Sequence, residues 1–383
     1  MAVSRKNIRK EIFKKANRVV LKLGSYVLTT PSWKLDRKVF LDVIETIAAV
    51  RTRGTEFVLV SSGAIAAGMG ELGLRERPRI LAHEQAAAAV GQIRLMGLYG
   101  KMFKRFGITV AQILLTHGDL RDRKRFLNAR HTLTSVLEYQ AVPIINENDT
   151  TVVEEITFGD NDYLSSLITN LVQADLFIIL TDIDGVYDKD PHSFTDARFI
   201  SLIENIDTNI ERLALGTKSN ISRGGMSSKI KAAKTAAHFG VPTIIANGKT
   251  PGNLMNIFAG KEIGTLVLPE KNKLTSRKHW IAFTLKSQGS ICVDDGAKKA
   301  MIERGRSLLA TGIVSVNGNF DSGEAVSCCD KNGHEFAKGL SGYGSSDVEK
   351  IKGAKTSQIK EILGSCPHTE VINRDDMVML AAT

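Results

Sequence analysis

The sequence predicts an α/β protein, an αβα sandwich around a mostly parallel sheet, followed by a small β-rich domain. Three observations predict it. Short apolar runs alternate with stretches of helical period through the first two-thirds of the chain, the rhythm of a parallel sheet covered on both faces. Most of those runs end in Gly, Ser, Asn or Asp, the residues of a strand end. From Gly289 onward the rhythm gives way to short β-like runs split by glycines.

The elements follow in order. "RVVLKLG" reads as a buried strand closed by a glycine turn, and "KVFLDVIETIAAVRTRG" as an amphipathic helix ending at glycine. "EFVLVSSG" is a second strand, "EQAAAAVGQIRLMGLYGKMFKRFG" a helix, and "ITVAQILLT" extended. "ARHTLTSVLEYQ" is helical, while "AVPIIN" and "ADLFIILTD" are strands. "GGMSSKIKAAKTAAHFG" is a loop opening a helix near Ser227, and "VPTIIANG" is one more strand. The tail segments "SICVDDGA", "GIVSVNGNFDSGEAVSCCDKNG" and "HEFAKGLSGYG" read as short strands. The expected organisation is a basic extension over 1–16, an α/β domain over 17–270, a polar linker over 271–288 and a β-rich domain over 289–383.

Composition narrows the function classes. Hydrophobic residues make up 43% and charged residues 24% of the chain, as in soluble globular proteins. No apolar stretch approaches the roughly 20 residues that span a bilayer, and the N-terminus lacks the apolar run of a signal peptide. The expectation is a cytoplasmic protein without membrane attachment. Of the formal charge of +10, +6 lies in the first 18 residues, where Ile8, Ile12 and Phe13 fall at helical spacing. A basic segment of this kind is more often a solvated or packed helix than a nucleic-acid site. Cys292, Cys328, Cys329 and Cys366 make no zinc spacing and read as reduced thiols.

Four strand-end segments carry candidate chemistry. In "VVLKLGS", Lys22 must escape the core, either into the strand-end crevice or along the edge of the sheet. In "LVSSGAIAAG", small residues let backbone N–H groups approach an anion, or let a helix pack closely. "ILTDIDG" ends a strand at Thr181 and Asp182. In "SRGGMSSKIKAA", Lys229 stands in the first turn of a helix, where it opposes the macrodipole and is better explained by a bound anion. Neither GxxxxGK[ST] nor a strand-linked GxGxxG is present, which excludes the Walker-type and dinucleotide loops. Between these segments, "INENDTTVVEEITFGDNDYLSS" gathers nine Asp, Glu and Asn residues. It is not a calcium loop, because Leu164 stands where that motif needs a further oxygen ligand.

In this order and spacing, "VVLKLGS", "VSSGAIAAG", "FLNARHTL", "VPIINENDT", "FGDNDYLSS", "LTDIDGVYDKDP" and "GGMSSK" resemble the amino acid kinase family. The closest branch is the one that phosphorylates the side-chain carboxylate of glutamate. The tail resembles a PUA domain. The resemblance implies ATP and Mg²⁺, with L-glutamate converted to L-glutamyl 5-phosphate at the start of proline synthesis. It further implies feedback inhibition by proline and a homo-oligomer, dimer or tetramer. Lys22 and Lys229 would contact the phosphates, and Asp162 would hold those lysines. Ser62, Asp149 and Asn161 would bind glutamate, Asp149 at the ammonium. Thr181, Asp182, Gly224, Gly225, Met226, Ser227, Ser228, Lys229 and Lys22 would take the nucleotide, with the metal held by ATP rather than by the protein. The segment "TVVEEITF" reads as a hairpin-like flap with Glu154 and Glu155 solvated.

The sequence departs from the family in three places. Ser222-Arg223 replace the usual Gly-Thr, Ser228 stands where Thr is common, and Tyr26 stands where Ser is frequent. Two other readings remain open: an RNA-binding protein acting through its PUA-like domain, or a sister kinase acting on aspartate, N-acetylglutamate, carbamate or a nucleotide.

Overall fold

The computed structural model describes residues 5–151, 161–191, 193–215, 225–270, 281 and 285–380. They fall into two compact units, Met1–Lys273 and Leu274–Thr383. The sequence-expected flap lies almost wholly outside the described residues, as do Gly224 and the Ser222-Arg223 pair.

In the first unit, α1 (Arg5–Lys15) precedes β1 (Arg18–Leu23), the single turn α2 (Ser25–Leu28), α3 (Arg37–Arg51), β2 (Glu56–Ser61), α4 (Ala64–Glu71), α5 (Leu81–Lys104) and β3 (Val110–Leu115). There follow α6 (His117–Arg121), α7 (Arg123–Glu138), β4 (Val142–Glu147), α8 (Asn161–Leu171) and β5 (Leu176–Thr181). The short strands β6 (Val186–Tyr187), β7 (Phe199–Ile200) and β8 (Leu202–Ile203) lead to α9 (Thr208–Leu215), α10 (Met226–His238), β9 (Thr243–Asn247), α11 (Asn253–Phe258) and β10 (Thr265–Val267).

Eight strands form one sheet in the order β3-β4-β2-β1-β5-β9-β10-β8. Within it only the β9–β10 pair is antiparallel. The chain leaves β1 toward β2 on one side and later returns to β5 on the other. This is the switch in direction that opens a crevice at the carboxyl ends of the strands. Alternation along β1 decides what enters that crevice. Val19, Leu21 and Leu23 join a core with Phe40, Ile44 and Ile47 of α3 and Tyr99 and Phe103 of α5. With a side-chain period of two, Lys22 must face the other way, toward α8. Because β1 lies between β2 and β5, Lys22 is not an edge lysine.

Two further packings hold the unit. Where α4 crosses α5, a Cβ at Gly68 would fall 1.8 Å from Ala87 O, and one at Gly91 would fall 1.8 Å from Ala64 O. Only glycine permits so close a crossing. The N-terminal helix is packed rather than solvated: Ile8, Ile12 and Phe13 of α1 lie on the main core. Its Arg9 is buried and donates to the carbonyls of Ile263 at 2.6 Å, Ser201 at 3.0 Å and Gly264 at 2.7 Å.

In the second unit, β11 (Gly289–Val293), β12 (Ile313–Gly318), β13 (Ala325–Cys329), β14 (Glu335–Leu340) and β15 (Met377–Met379) form a sheet in the order β12-β11-β13-β14-β15. Ile291, Phe320, Val326, Phe336 and Ile372 belong to its own core. It also contains helices at Asp295–Arg304, Ser345–Ile351 and Thr356–Leu363, which the strand-like reading of the tail missed. Asp294 caps the first of them by accepting from the Ala297 N–H at 2.7 Å. Among the described residues, no helix is long and apolar enough to cross a membrane.

Candidate active site

At the carboxyl end of β1, Lys22 Nζ lies 2.5 Å from Asp162 Oδ1, and Lys229 Nζ lies 3.0 Å from Asp162 Oδ2. Ser228 Oγ donates to the same Oδ2 at 2.8 Å. The three charged residues come from β1, the first turn of α8 and the first turn of α10. All are buried, Asp162 completely. Burial would raise the Asp162 carboxyl, but the two lysines and the hydrogen bonds from Lys22 and Ser228 outweigh it and hold the group well below the usual carboxylate range. Among the described residues, two buried cations meet one buried anion here. Buried lysines at a strand end and a helix N-terminus are suited to receive phosphate oxygens.

The described nucleotide-side candidates lie at a neighbouring strand end and at the start of α10. Thr181 ends β5 beside β1 and donates through Oγ1 to Asp182 Oδ1 at 3.0 Å. Gly225 precedes α10, and Met226, Ser227, Ser228 and Lys229 form its first turn. The helix therefore starts one residue before the position expected from sequence. Its uncapped N–H groups add to the positive character of this end.

On the other side of Lys22, Ser62 follows β2 and Gly63 opens α4 at φ +102°, a conformation that requires glycine. Asn161 Nδ2 donates to Ser62 Oγ at 2.9 Å and to Asn146 Oδ1 at 3.1 Å. Asn161 Oδ1 is buried and finds no partner among the described residues. Asp149 begins the turn after β4. Burial first, and then the charge of Glu147, push its carboxyl up to about 6, with Arg77 opposing and Glu84 adding. No hydrogen bond among the described residues joins Asp149 to Ser62 or Asn161. The structure thus brings together Lys22, Asp162, Ser228 and Lys229, and separately Ser62 and Asn161, while Asp149 stands among Glu147, Arg77 and Glu84.

Several polar residues around this pocket gave no functional signal in the sequence. Asn146 Nδ2 donates to Gln92 Oε1 at 2.8 Å. His117 Nδ1 lies 3.1 Å from Glu147 Oε1, and the His117 ring stacks on Tyr163 with centroids 5.6 Å apart. Arg77 Nε donates to Glu84 Oε1 at 2.8 Å. Asn146 stands next to last in β4, just before Glu147.

A family model described as the amino acid kinase family matches residues 17–247, and one described as the PUA domain matches residues 289–363. A glutamate 5-kinase of Pelobacter propionicus is 49% identical over 373 residues, 97% of this chain and 100% of that protein. A glutamate 5-kinase of Geobacter sulfurreducens is 48% identical with the same coverage of both chains. One from Caldanaerobacter subterraneus subsp. tengcongensis is 47% identical over 95% of this chain and 98% of its own.

Proposed function

The chain belongs to the amino acid kinase family, and within it to the glutamate 5-kinases, and we propose on that premise that it transfers the γ-phosphoryl of ATP to the γ-carboxylate of L-glutamate. The product is L-glutamyl 5-phosphate, which opens the route to proline. The observation that carries the reading is the shared grip of Lys22 and Lys229 on Asp162 at the strand-end crevice.

The chemistry asks little of a base. A glutamate side chain with a reference pKa of about 4.3 is already an ionised nucleophile at neutral pH. The barrier lies in bringing two anions together and supporting charge on the phosphoryl in flight. Lys22 and Lys229 supply positive charge along that path, and Asp162 fixes where the two ammonium groups point. Thr181, Asp182 and the Gly224–Lys229 loop hold the nucleotide. Ser62 and Asn161 place the substrate, and Asp149 takes its ammonium. Both Asp162 oxygens are engaged by lysines, so Mg²⁺ would enter on the nucleotide's phosphate oxygens and neutralise part of their charge. On the same reading the protein works in the cytoplasm as a homo-oligomer.

The test is acyl phosphate formation from ATP, Mg²⁺ and glutamate, trapped as the hydroxamate, with aspartate and N-acetylglutamate as competitors and proline as inhibitor. Product is expected with glutamate and is expected to fall when proline is added. Absence of product from folded protein would sink the reading, and product only with another acceptor would redirect it.

A further inference from the structure

We propose that Gln92 is a specificity-determining residue that recognises the substrate's α-carboxylate, an inference that rests on the glutamate reading above. It follows from the polarity of a chain of three carboxamides. The backbone N–H of Glu147 donates to Asn146 Oδ1 at 2.9 Å. A backbone N–H can only donate, so that atom is the oxygen and the other end of Asn146 is the NH₂ group. Asn146 Nδ2 donates to Gln92 Oε1 at 2.8 Å, which makes the outer atom of Gln92 a donor. On the other side Asn146 Oδ1 accepts from Asn161 Nδ2 at 3.1 Å, which makes the outer atom of Asn161 an acceptor. One backbone group thereby orients all three side chains.

The two ends of this chain are unmatched in a complementary way. Gln92 Nε2, a donor, and Asn161 Oδ1, an acceptor, are both buried without a partner among the described residues. Buried polar groups left unpaired are rare, and each calls for a partner that a bound ligand or an ordered water supplies. A free donor at one end and a free acceptor at the other complement the carboxylate and ammonium of an amino acid.

Strand order decides which carboxylate. The crevice runs from β5 with Thr181, past β1 with Lys22 and β2 with Ser62, to β4 with Asn146. Phosphoryl transfer belongs at the Lys22 end. Gln92 is bonded to the β4 residue, at the far end of that axis beside the turn that holds Asp149. It therefore meets the carboxylate that is not phosphorylated. Arg77 is the rival carrier, since its guanidinium also acts on Asp149, although its Nε is committed to Glu84.

The experiment compares glutamate, glutarate and 4-aminobutyrate as ligands of the full chain by calorimetry, with hydroxamate turnover alongside. Glutarate keeps both carboxylates, and 4-aminobutyrate lacks the α-carboxylate. Gln92→Met is expected to weaken glutamate and glutarate about tenfold, the worth of a hydrogen bond to a charged group, with 4-aminobutyrate and ATP unchanged within about twofold. Gln92→Glu keeps the acceptor for Asn146 but turns the outer donor into a negative charge, and should cut glutamate binding further. Equal weakening of all three ligands overturns the assignment, and so does a loss seen with Gln92→Glu but not with Gln92→Met. Loss of the preference in Arg77→Met with none in Gln92→Met hands the role to Arg77. Wild-type protein that makes no hydroxamate overturns the reaction itself, whereas normal wild-type turnover with an unaffected Gln92→Met overturns only this inference.

Discussion

Lys22 Nζ stands 2.5 Å from Asp162 Oδ1 in a crevice where the lysine side chain is 6% exposed and the carboxylate not at all. A carboxylate in such a place survives as an anion only because lysines surround it. Its ionisation is therefore tied to folding. The folded-state pKa is depressed, so the stabilisation is complete above about pH 4, the unfolded value, and is lost as pH falls through the folded value.

Asp162→Asn is expected to lower kcat by about 100-fold or more, because both lysines lose the anchor that aims them. It should also lower the melting temperature at pH 7. The gap in stability between wild type and variant should narrow below about pH 4, where the unfolded chain takes up the proton that folded Asp162 still refuses. Thermal melts from pH 3 to 8, paired with hydroxamate kinetics, check both parts.

Asp149 has the opposite sign. Its carboxyl is raised to about 6, so the folded protein holds that proton more tightly than the unfolded chain does. Ionised Asp149 costs stability above about pH 6, and the cost vanishes below about pH 4. Asp149→Asn should therefore raise the melting temperature at pH 7 to 8 and leave it unchanged near pH 4. The same variant should raise KM for glutamate about thirtyfold or more while KM for ATP stays within about threefold. In wild type, KM for glutamate should climb as pH drops through 6. An unchanged KM for glutamate would remove Asp149 from the substrate site.

Gly91→Ala forces a methyl group to within 1.8 Å of Ala64 O in the unrelaxed structure. Relief requires α4 to move, at a cost of about 2–3 kcal/mol. Ser62 and Gly63 directly precede α4, so the displacement should also raise KM for glutamate. Gly97, on the same helix, has open space where its Cβ would go. Gly97→Ala should be neutral or stabilising by up to about 1 kcal/mol. Denaturant unfolding of the two variants separates crowding from helix propensity.

Arg9→Met should destabilise the first unit by about 3 kcal/mol, since three carbonyls lose a charged donor in a buried setting. The substitution keeps most of the apolar stem. Urea unfolding followed by fluorescence in a Trp280→Phe background, which leaves Trp33 as the probe, reads the loss. An unchanged midpoint would mean that the N-terminal helix is bystander surface.

Much of this site could be read from the chain before any fold was known. Lys22 and Lys229 draw notice because each sits where a strand ends or a helix begins, whereas Asp162, inside the acidic stretch "GDNDYLSS", gains its role only from the family resemblance. Gln92 and Asn146 were not legible in the same way. Gln92 lies within a long helix, where a glutamine reads as one more solvated position. Its meeting with Asn146 depends on a helix crossing that only Gly68 and Gly91 allow. Arg77 and Glu84 sit in and just after a polar loop and acquire meaning only through Asp149. In the second unit, the helix Asp295–Arg304 escaped notice because Met301 is its only fully buried residue. One apolar contact leaves no period to detect, whereas the β-runs around it were plain.

The register of β1 limits how this protein can vary in length. Lys22 is level with Val60 on β2 and Ile179 on β5, and its neighbours on either side point into the opposite core. Inserting or deleting one residue between Arg18 and Lys22 would exchange the two faces, burying an ammonium among α3 and α5 and turning a leucine toward the phosphates. No loop adjustment can repair that exchange, because strands on both sides hold β1 by hydrogen bonds. Connections such as residues 72–80 can lengthen freely by comparison. Natural variants of this chain should therefore show gaps in the loops and none across the strand that carries Lys22.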